Sequence, residues 1–198
     1  VKENGFLGIV GWNPESDDLL ITSKSTPTGC FSEYLRQALY RFYGTDTMNK
    51  IKDYIKENNV SFVFECCDME NDPHIIEYPE SKVVLLDVVK NQMKFEKLPD
   101  ELFQLATKLG IKVKEKAFVI ESWEDFYAWY NEVTAEGYKY KGNDIEGFVI
   151  EDSVGYMTKL KLFYYKYWKK LRGVAQSVLR YGNYKWTGSL LTREENEF

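Results

Sequence analysis

Val1-Lys2-Glu3-Asn4-Gly5-Phe6-Leu7-Gly8-Ile9-Val10-Gly11-Trp12 opens the chain with a charged tetrapeptide that runs into an apolar, β-branched stretch. Its continuation decides the fold. Strand character returns from Leu19 to Ser23 after Asn13-Pro14-Glu15-Ser16-Asp17-Asp18, a segment dense in turn formers. The two runs read as antiparallel strands, with Lys2 just ahead of the first or on its end.

Working outward, Tyr34, Leu35, Ala38, Leu39 and Phe42 recur at three- and four-residue steps, which predicts a helix over Phe31 to Tyr43 with one buried face. A second helix is expected from Met48 to Glu57. Val60 to Cys66, Ile75 to Tyr78 and Val83 to Val89 return to strand character, with Pro73 and Pro79 bracketing the middle one. Leu102 to Leu109 ends at Gly110 as a helix does, and Ser122 with Asp125 resembles a capping box opening a helix through Tyr130. Lys116 to Ile120 between them reads as a strand. Two further strands, Ile145 to Glu151 and Tyr156 to Leu162, lead into a helix from Phe163 to Tyr181 rich in Lys and Tyr. Strands mixed with helices, without regular βαβ alternation, indicate an α+β fold.

With 198 residues, 44% hydrophobic and 16% aromatic, the chain can bury one sizeable core, so residues 1–198 are read as a single domain with small appendages. No apolar run of about 18 residues predicts a membrane span, and no signal peptide is visible, so a soluble, cytoplasmic protein is expected. Cys30, Cys66 and Cys67 are odd in number, and the adjacent pair alternates across a strand instead of converging on zinc, so reduced structural thiols are expected. A net charge of -5 argues against a protein that coats nucleic acid nonspecifically; any such site must be a local basic patch.

Four short elements bear on chemistry. Lys2-Glu3-Asn4-Gly5 offers an amine on a firm backbone, with Gly5 leaving room for a nucleotide to lie close. Phe64-Glu65 ends a strand whose alternation puts Phe62 and Phe64 on one face and Glu65 on the other, so Glu65 is either a sheet-edge charge or an acceptor for ribose hydroxyls. Glu146 precedes Gly147-Phe148-Val149-Ile150 and would face a cleft, where it suits a metal ion or its waters. Lys159 and Lys161 lie two apart on a strand, so both ammonium groups project from one face and call for an anion between them. Each element also has a bland reading as an exposed turn or a solvated charge.

Taken in order, the set resembles the covalent nucleotidyltransferase superfamily of RNA ligases, DNA ligases and mRNA capping enzymes. It is most similar to the RNA ligase branch that includes the phage enzyme repairing broken tRNA and the adenylyltransferase domain of fungal tRNA ligases. Ile21-Thr22-Ser23-Lys24-Ser25 looks like that branch's second motif. Glu65 through Asp72-Pro73-His74-Ile75-Ile76-Glu77-Tyr78 looks like the third, Glu146 to Ile150 the fourth, and Lys159-Leu160-Lys161 with the helix behind it the fifth.

The resemblance implies a nucleotidyltransferase (ligase) fold, with antiparallel sheets flanked by helices around a nucleotide-binding cleft. It implies that Lys2 attacks the α-phosphate of ATP with Mg²⁺ (or Mn²⁺) present, forms a lysine–AMP intermediate, passes AMP to an RNA 5′-phosphate and seals that end to a 3′-hydroxyl. A lysine amine is a nucleophile only without its proton, and Lys159, Lys161 and the cation are expected to favour its loss. Glu65 is matched to the ribose-binding residue and Glu146 to the carboxylate that holds the metal; Glu3, Asn4, Gly5, Lys24 and Phe64 would contact the nucleotide. His74 either contacts the nucleotide or caps a strand. RNA such as a broken tRNA would cross the helix bearing Lys166, Lys169, Lys170 and Arg172, with Tyr164, Tyr165, Tyr167 and Trp168 stacking on bases or docking on the core. Because a nucleophile second in the sequence lacks preceding residues to fix it, the resemblance also implies a missing N-terminal segment and a missing C-terminal RNA-selecting domain. A monomer is expected. The alternatives are a noncatalytic RNA-binding module on the same fold, or a DNA ligase or capping-type enzyme.

Overall fold

The computed structural model describes residues 1–93 and 101–181, and the chain divides into two compact units. The first comprises Val1, Glu3–Val119 and Glu151–Met157; the second comprises Lys2, Ile120–Ile150 and the residues from Thr158 on.

The first unit is built on four antiparallel strands: β1 (Phe6–Asn13), β2 (Asp18–Ser23), β3 (Val60–Cys67) and β4 (Lys82–Lys90), in the order β2-β1-β3-β4. The turn-forming residues before Asp18 let β2 fold straight back on β1, with Val10 opposite Ile21 and Trp12 opposite Leu19. Helix α1 (Cys30–Asn58) covers the sheet, and its Leu35, Leu39, Ile51 and Ile55 join Val10, Ile21 and Phe62 in the core. Gly44, at φ 74° and ψ 167°, interrupts the helical backbone between the two segments read from the sequence. Phe42, assigned by its spacing to the buried stripe, is 39% exposed, and the neighbouring Tyr43 packs against the core. Helix α2 (Glu101–Leu109) adds Leu102, Leu105 and Leu109 to the same core, with the buried stripe that its spacing calls for.

Two expected strands are absent. Ile75 to Tyr78 forms no ladder: the Ile76 N–H, which a strand partner would take, donates instead to Asn4 Oδ1 at 3.1 Å, and the Tyr78 side-chain hydroxyl accepts from the Asn4 N–H at 2.8 Å. Lys116 to Ile120 is likewise irregular, since the sheet edge at Leu85 is taken three residues earlier. The Leu85 N–H donates to Lys112 O and the Lys114 N–H donates to Leu85 O, both at 2.8 Å.

In the second unit, α3 (Trp123–Thr134) begins at Ser122, whose hydroxyl accepts from the Asp125 N–H at 3.0 Å as the capping reading requires. Strands β5 (Gly147–Glu151) and β6 (Met157–Lys161) pair with each other, and α4 (Phe163–Tyr181) follows directly. Among the described residues, no helix is long and apolar enough to cross a membrane.

All three cysteines are free, and Cys66 and Cys67 are both buried on β3. Burial pushes the Cys67 thiol from 9.0 up to about 12 and the Tyr43 phenol from 10.0 up to about 12. A folded-state pKa above the unfolded one means that the native state holds its proton more tightly. The stability that this contributes is complete below about pH 9 and drains away as pH rises towards 12. Thermal melts should therefore show the midpoint falling steadily above pH 9, and an unchanged midpoint to pH 11 would contradict this burial.

Candidate active site

Lys2, Glu146 and Lys161 meet in the second unit. Glu146 is 2% exposed, and its two carboxylate oxygens divide between two cations: Oε2 lies 2.9 Å from Lys2 Nζ, and Oε1 lies 2.9 Å from Lys161 Nζ. The main chain fixes all three. The Lys2 N–H donates to Gly147 O at 2.8 Å, and the Leu162 N–H donates to Glu146 O at 3.0 Å. Residue 147 has φ +150°, and a Cβ there would lie 1.9 Å from Leu160 O, so the neighbour of Glu146 must be glycine. No element of the sequence reading supplied that reason for Gly147.

Burial works against the charge of Lys161, but the hydrogen bond and the negative charge of Glu146 outweigh it and hold this ammonium's pKa above 10.5. The Lys161 ammonium also rests 4.4 Å above the ring of Tyr165 in the first turn of α4. Lys159, two residues back on β6, is exposed and forms no ion pair among the described residues. The anion that the lysine spacing called for is thus partly supplied by the protein: Glu146 occupies it for Lys161, while Lys159 faces outward.

The first unit gathers the residues on either side of Gly5. The Gly5 N–H donates to Glu65 Oε1 at 3.0 Å, and Glu65 is 8% exposed, so this carboxylate is neither an edge charge nor open on all sides. A Cβ on Gly5 would lie 2.1 Å from Cys66 O, so the lack of a side chain lets β3 approach; the sequence reading had reserved that space for a nucleotide. Gly5→Ala is accordingly expected to cost about 2 kcal/mol or more by overpacking, measurable as a lower midpoint in urea. Glu3 pairs with Lys82 at 2.6 Å, and the Lys82 ammonium lies 3.9 Å above the ring of Tyr78. Asn4 is buried between the Tyr78 hydroxyl and the Ile76 amide.

Three other assigned residues make contacts of their own. Phe64 is fully buried against Phe62, with ring centroids 6.1 Å apart, so it belongs to the core and presents no face to a ligand. Lys24 is exposed at the end of β2, its N–H donating to Leu7 O at 3.0 Å. His74 pairs through Nε2 with Asp72 Oδ2 at 2.7 Å in a segment that is not a strand, so capping one is not its task. On α4, Lys166, Lys169 and Arg172 are exposed, Lys170 is half-buried, Trp168 is 46% exposed, and Tyr165 is buried.

Sequence reasoning gave no individual role to Lys82, Tyr78 or Tyr165. A lysine that opens a strand and a tyrosine in an apolar run carry no local signal of the contacts they make.

A model of the family described as RNA ligase matches residues 1–171. The chain is 30% identical over 106 residues to a tRNA ligase of Candida albicans (strain SC5314 / ATCC MYA-2876), over 52% of this chain and 12% of that protein. A Naegleria gruberi RNA ligase solved with PPi has the same fold, with a TM-score of 0.60 at 14% identity, covering 87% of this chain and 50% of that one. The chain thus spans half or less of the length of both.

Proposed function

We infer, since the chain belongs to the RNA ligase family, that it carries the adenylyltransferase chemistry of an ATP-dependent RNA ligase, with Lys2 as the residue that takes up AMP. The observation that carries this reading is the buried Glu146 carboxylate held between the Lys2 and Lys161 ammonium groups, both at 2.9 Å. A carboxylate and a second cation beside one lysine make a charge arrangement suited to a phosphoryl group that enters with its own negative charge.

In the proposed reaction, the deprotonated Nζ of Lys2 attacks the α-phosphorus of ATP. The new N–P bond forms as the bond to the bridging oxygen breaks, pyrophosphate leaves with the electron pair, the nitrogen releases one proton to solvent, and a phosphoramidate remains. Glu146, already hydrogen-bonded to Nζ, orients the amine; Lys161 stabilises negative charge on the phosphoryl oxygens. Lys159, whose ammonium is exposed, is assigned to the phosphates of the same nucleotide. Glu65, held at the Gly5 amide, is assigned to the ribose, with Glu3, Asn4, Gly5, Lys24 and His74 as further candidates for nucleotide contact. AMP then passes to an RNA 5′-phosphate, and a 3′-hydroxyl displaces it to close the strand. The exposed Lys166, Lys169, Arg172 and Trp168, with Lys170, form the RNA track on α4.

Mg²⁺ fits this donor set. Glu146, a buried carboxylate, is the residue that would hold this hard, oxygen-seeking cation beside the phosphates of the nucleotide. When bound, it supplies positive charge to those phosphates. The likeness to a tRNA ligase favours broken tRNA as the substrate.

The test is to incubate the chain with Mg²⁺ and α-labelled ATP or GTP, and then denature it in detergent at neutral to alkaline pH, where a phosphoramidate survives. Label from ATP, mapped to the peptide containing Lys2, is expected. Label from GTP alone would point to a capping-type enzyme, and none from either to a noncatalytic RNA-binding module.

A further inference from the structure

We propose that Tyr78 is a positioning residue for the nucleophile, acting through its hydroxyl on the main chain that leaves Lys2; this rests on the nucleotidyl-transfer reading above. The Tyr78 hydroxyl accepts the Asn4 N–H at 2.8 Å and donates to the Glu3 carboxylate, so one oxygen ties down two consecutive residues of the tetrapeptide. Glu3 is held from its other side by Lys82 at 2.6 Å, and that ammonium lies 3.9 Å above the Tyr78 ring. The same segment grips a second time, where the Ile76 N–H donates to Asn4 Oδ1 at 3.1 Å. Gly5, the next residue, is fixed by Glu65 at 3.0 Å.

Every residue from Glu3 to Gly5 is therefore tied by a contact far away in sequence. The Ile75 to Tyr78 segment gives up strand pairing at the Ile76 N–H, which is spent on residue 4. A lysine side chain has four rotatable bonds, so its amine reaches a fixed point only if its Cα is fixed. The clamp supplies that constraint on the C-terminal side of Lys2, and the Gly147 carbonyl supplies it at the Lys2 N–H. Tyr78 needs no contact with a nucleotide for this.

Tyr78→Phe keeps the ring under Lys82 and removes only the hydroxyl. The rate of label transfer from α-labelled ATP at saturating nucleotide should fall roughly ten- to a hundredfold, since misplacing a reacting group by about an ångström costs on that scale. The KM for ATP should stay within about twofold, because the hydroxyl holds the amine and not the nucleotide. Sealing of an RNA supplied already adenylylated at its 5′ end, which needs no lysine nucleophile, should proceed as in the unaltered chain.

Unchanged label transfer in Tyr78→Phe overturns the proposal. So does a parallel loss of label transfer, ATP affinity and sealing with a lowered melting temperature, which would make Tyr78 merely structural. Absence of label on the unaltered chain is a different result: it removes the nucleotidyl-transfer reading, and the positioning role with it.

Discussion

Lys2→Ala should lose covalent AMP by a thousandfold or more, because no other amine can replace a nucleophile whose product is a bond to its own nitrogen. Lys2→Arg separates this from a folding defect. A guanidinium retains the positive charge that faces the Glu146 carboxylate, yet cannot shed its proton under ordinary conditions. Arginine should therefore preserve the melting temperature to within a few degrees while being as inactive as alanine. Both variants are read on a denaturing gel after reaction with α-labelled ATP; label persisting in either would place the nucleophile elsewhere.

Glu146→Gln should lower label transfer by roughly a hundredfold, the scale on which loss of one preorganised group at a reaction centre is felt. With the carboxylate gone, the Lys2 and Lys161 ammonium groups, each formerly 2.9 Å from a Glu146 oxygen, are left without the charge between them. The change should also cost about 2 kcal/mol of stability, less than the ~3–5 kcal/mol of a wholly buried pair because the two lysines keep 17% and 31% of their side-chain surface. The sign with pH is fixed by Lys161. Its pKa is raised above 10.5 in the folded chain, so the stabilisation is complete below pH 10.5 and is lost as pH rises through the folded value. The gap in melting temperature between parent and variant should be full at neutral pH and close above pH 10.5. A gap that widened there would mean that Glu146 does not support the Lys161 charge.

Much of this architecture could be read locally. The turn formers between Trp12 and Leu19 and the three- and four-residue spacing of Leu35, Ala38 and Leu39 are short-range signals, and β1, β2 and the first half of α1 formed where those signals lay. The likeness of the motifs to RNA ligases points to Lys2, Glu146 and Lys161, whose side chains form two ion pairs. The rest depended on partners distant in the chain. Ile75 to Tyr78 has strand composition, but Asn4 takes its backbone donor, a competition visible only once residues 4 and 76 are adjacent. Strand alternation already separates Phe64 from Glu65, but that the face of Phe64 is the closed one depends on the residues of α1 and β1 that cover it. Gly5 and Gly147 were each legible as glycine, but the carbonyl that forbids a side chain comes from another strand in both cases.

The Lys2 amide bonded to the Gly147 carbonyl, and the Lys2 ammonium facing a carboxylate shared with Lys161, join parts of the polypeptide made at very different moments of translation. While a ribosome is still adding residues before 161, the amine has emerged and its partners have not. On the proposed reaction, nascent or prematurely terminated chains should thus be unable to charge themselves with nucleotide, a capacity that requires synthesis past β6.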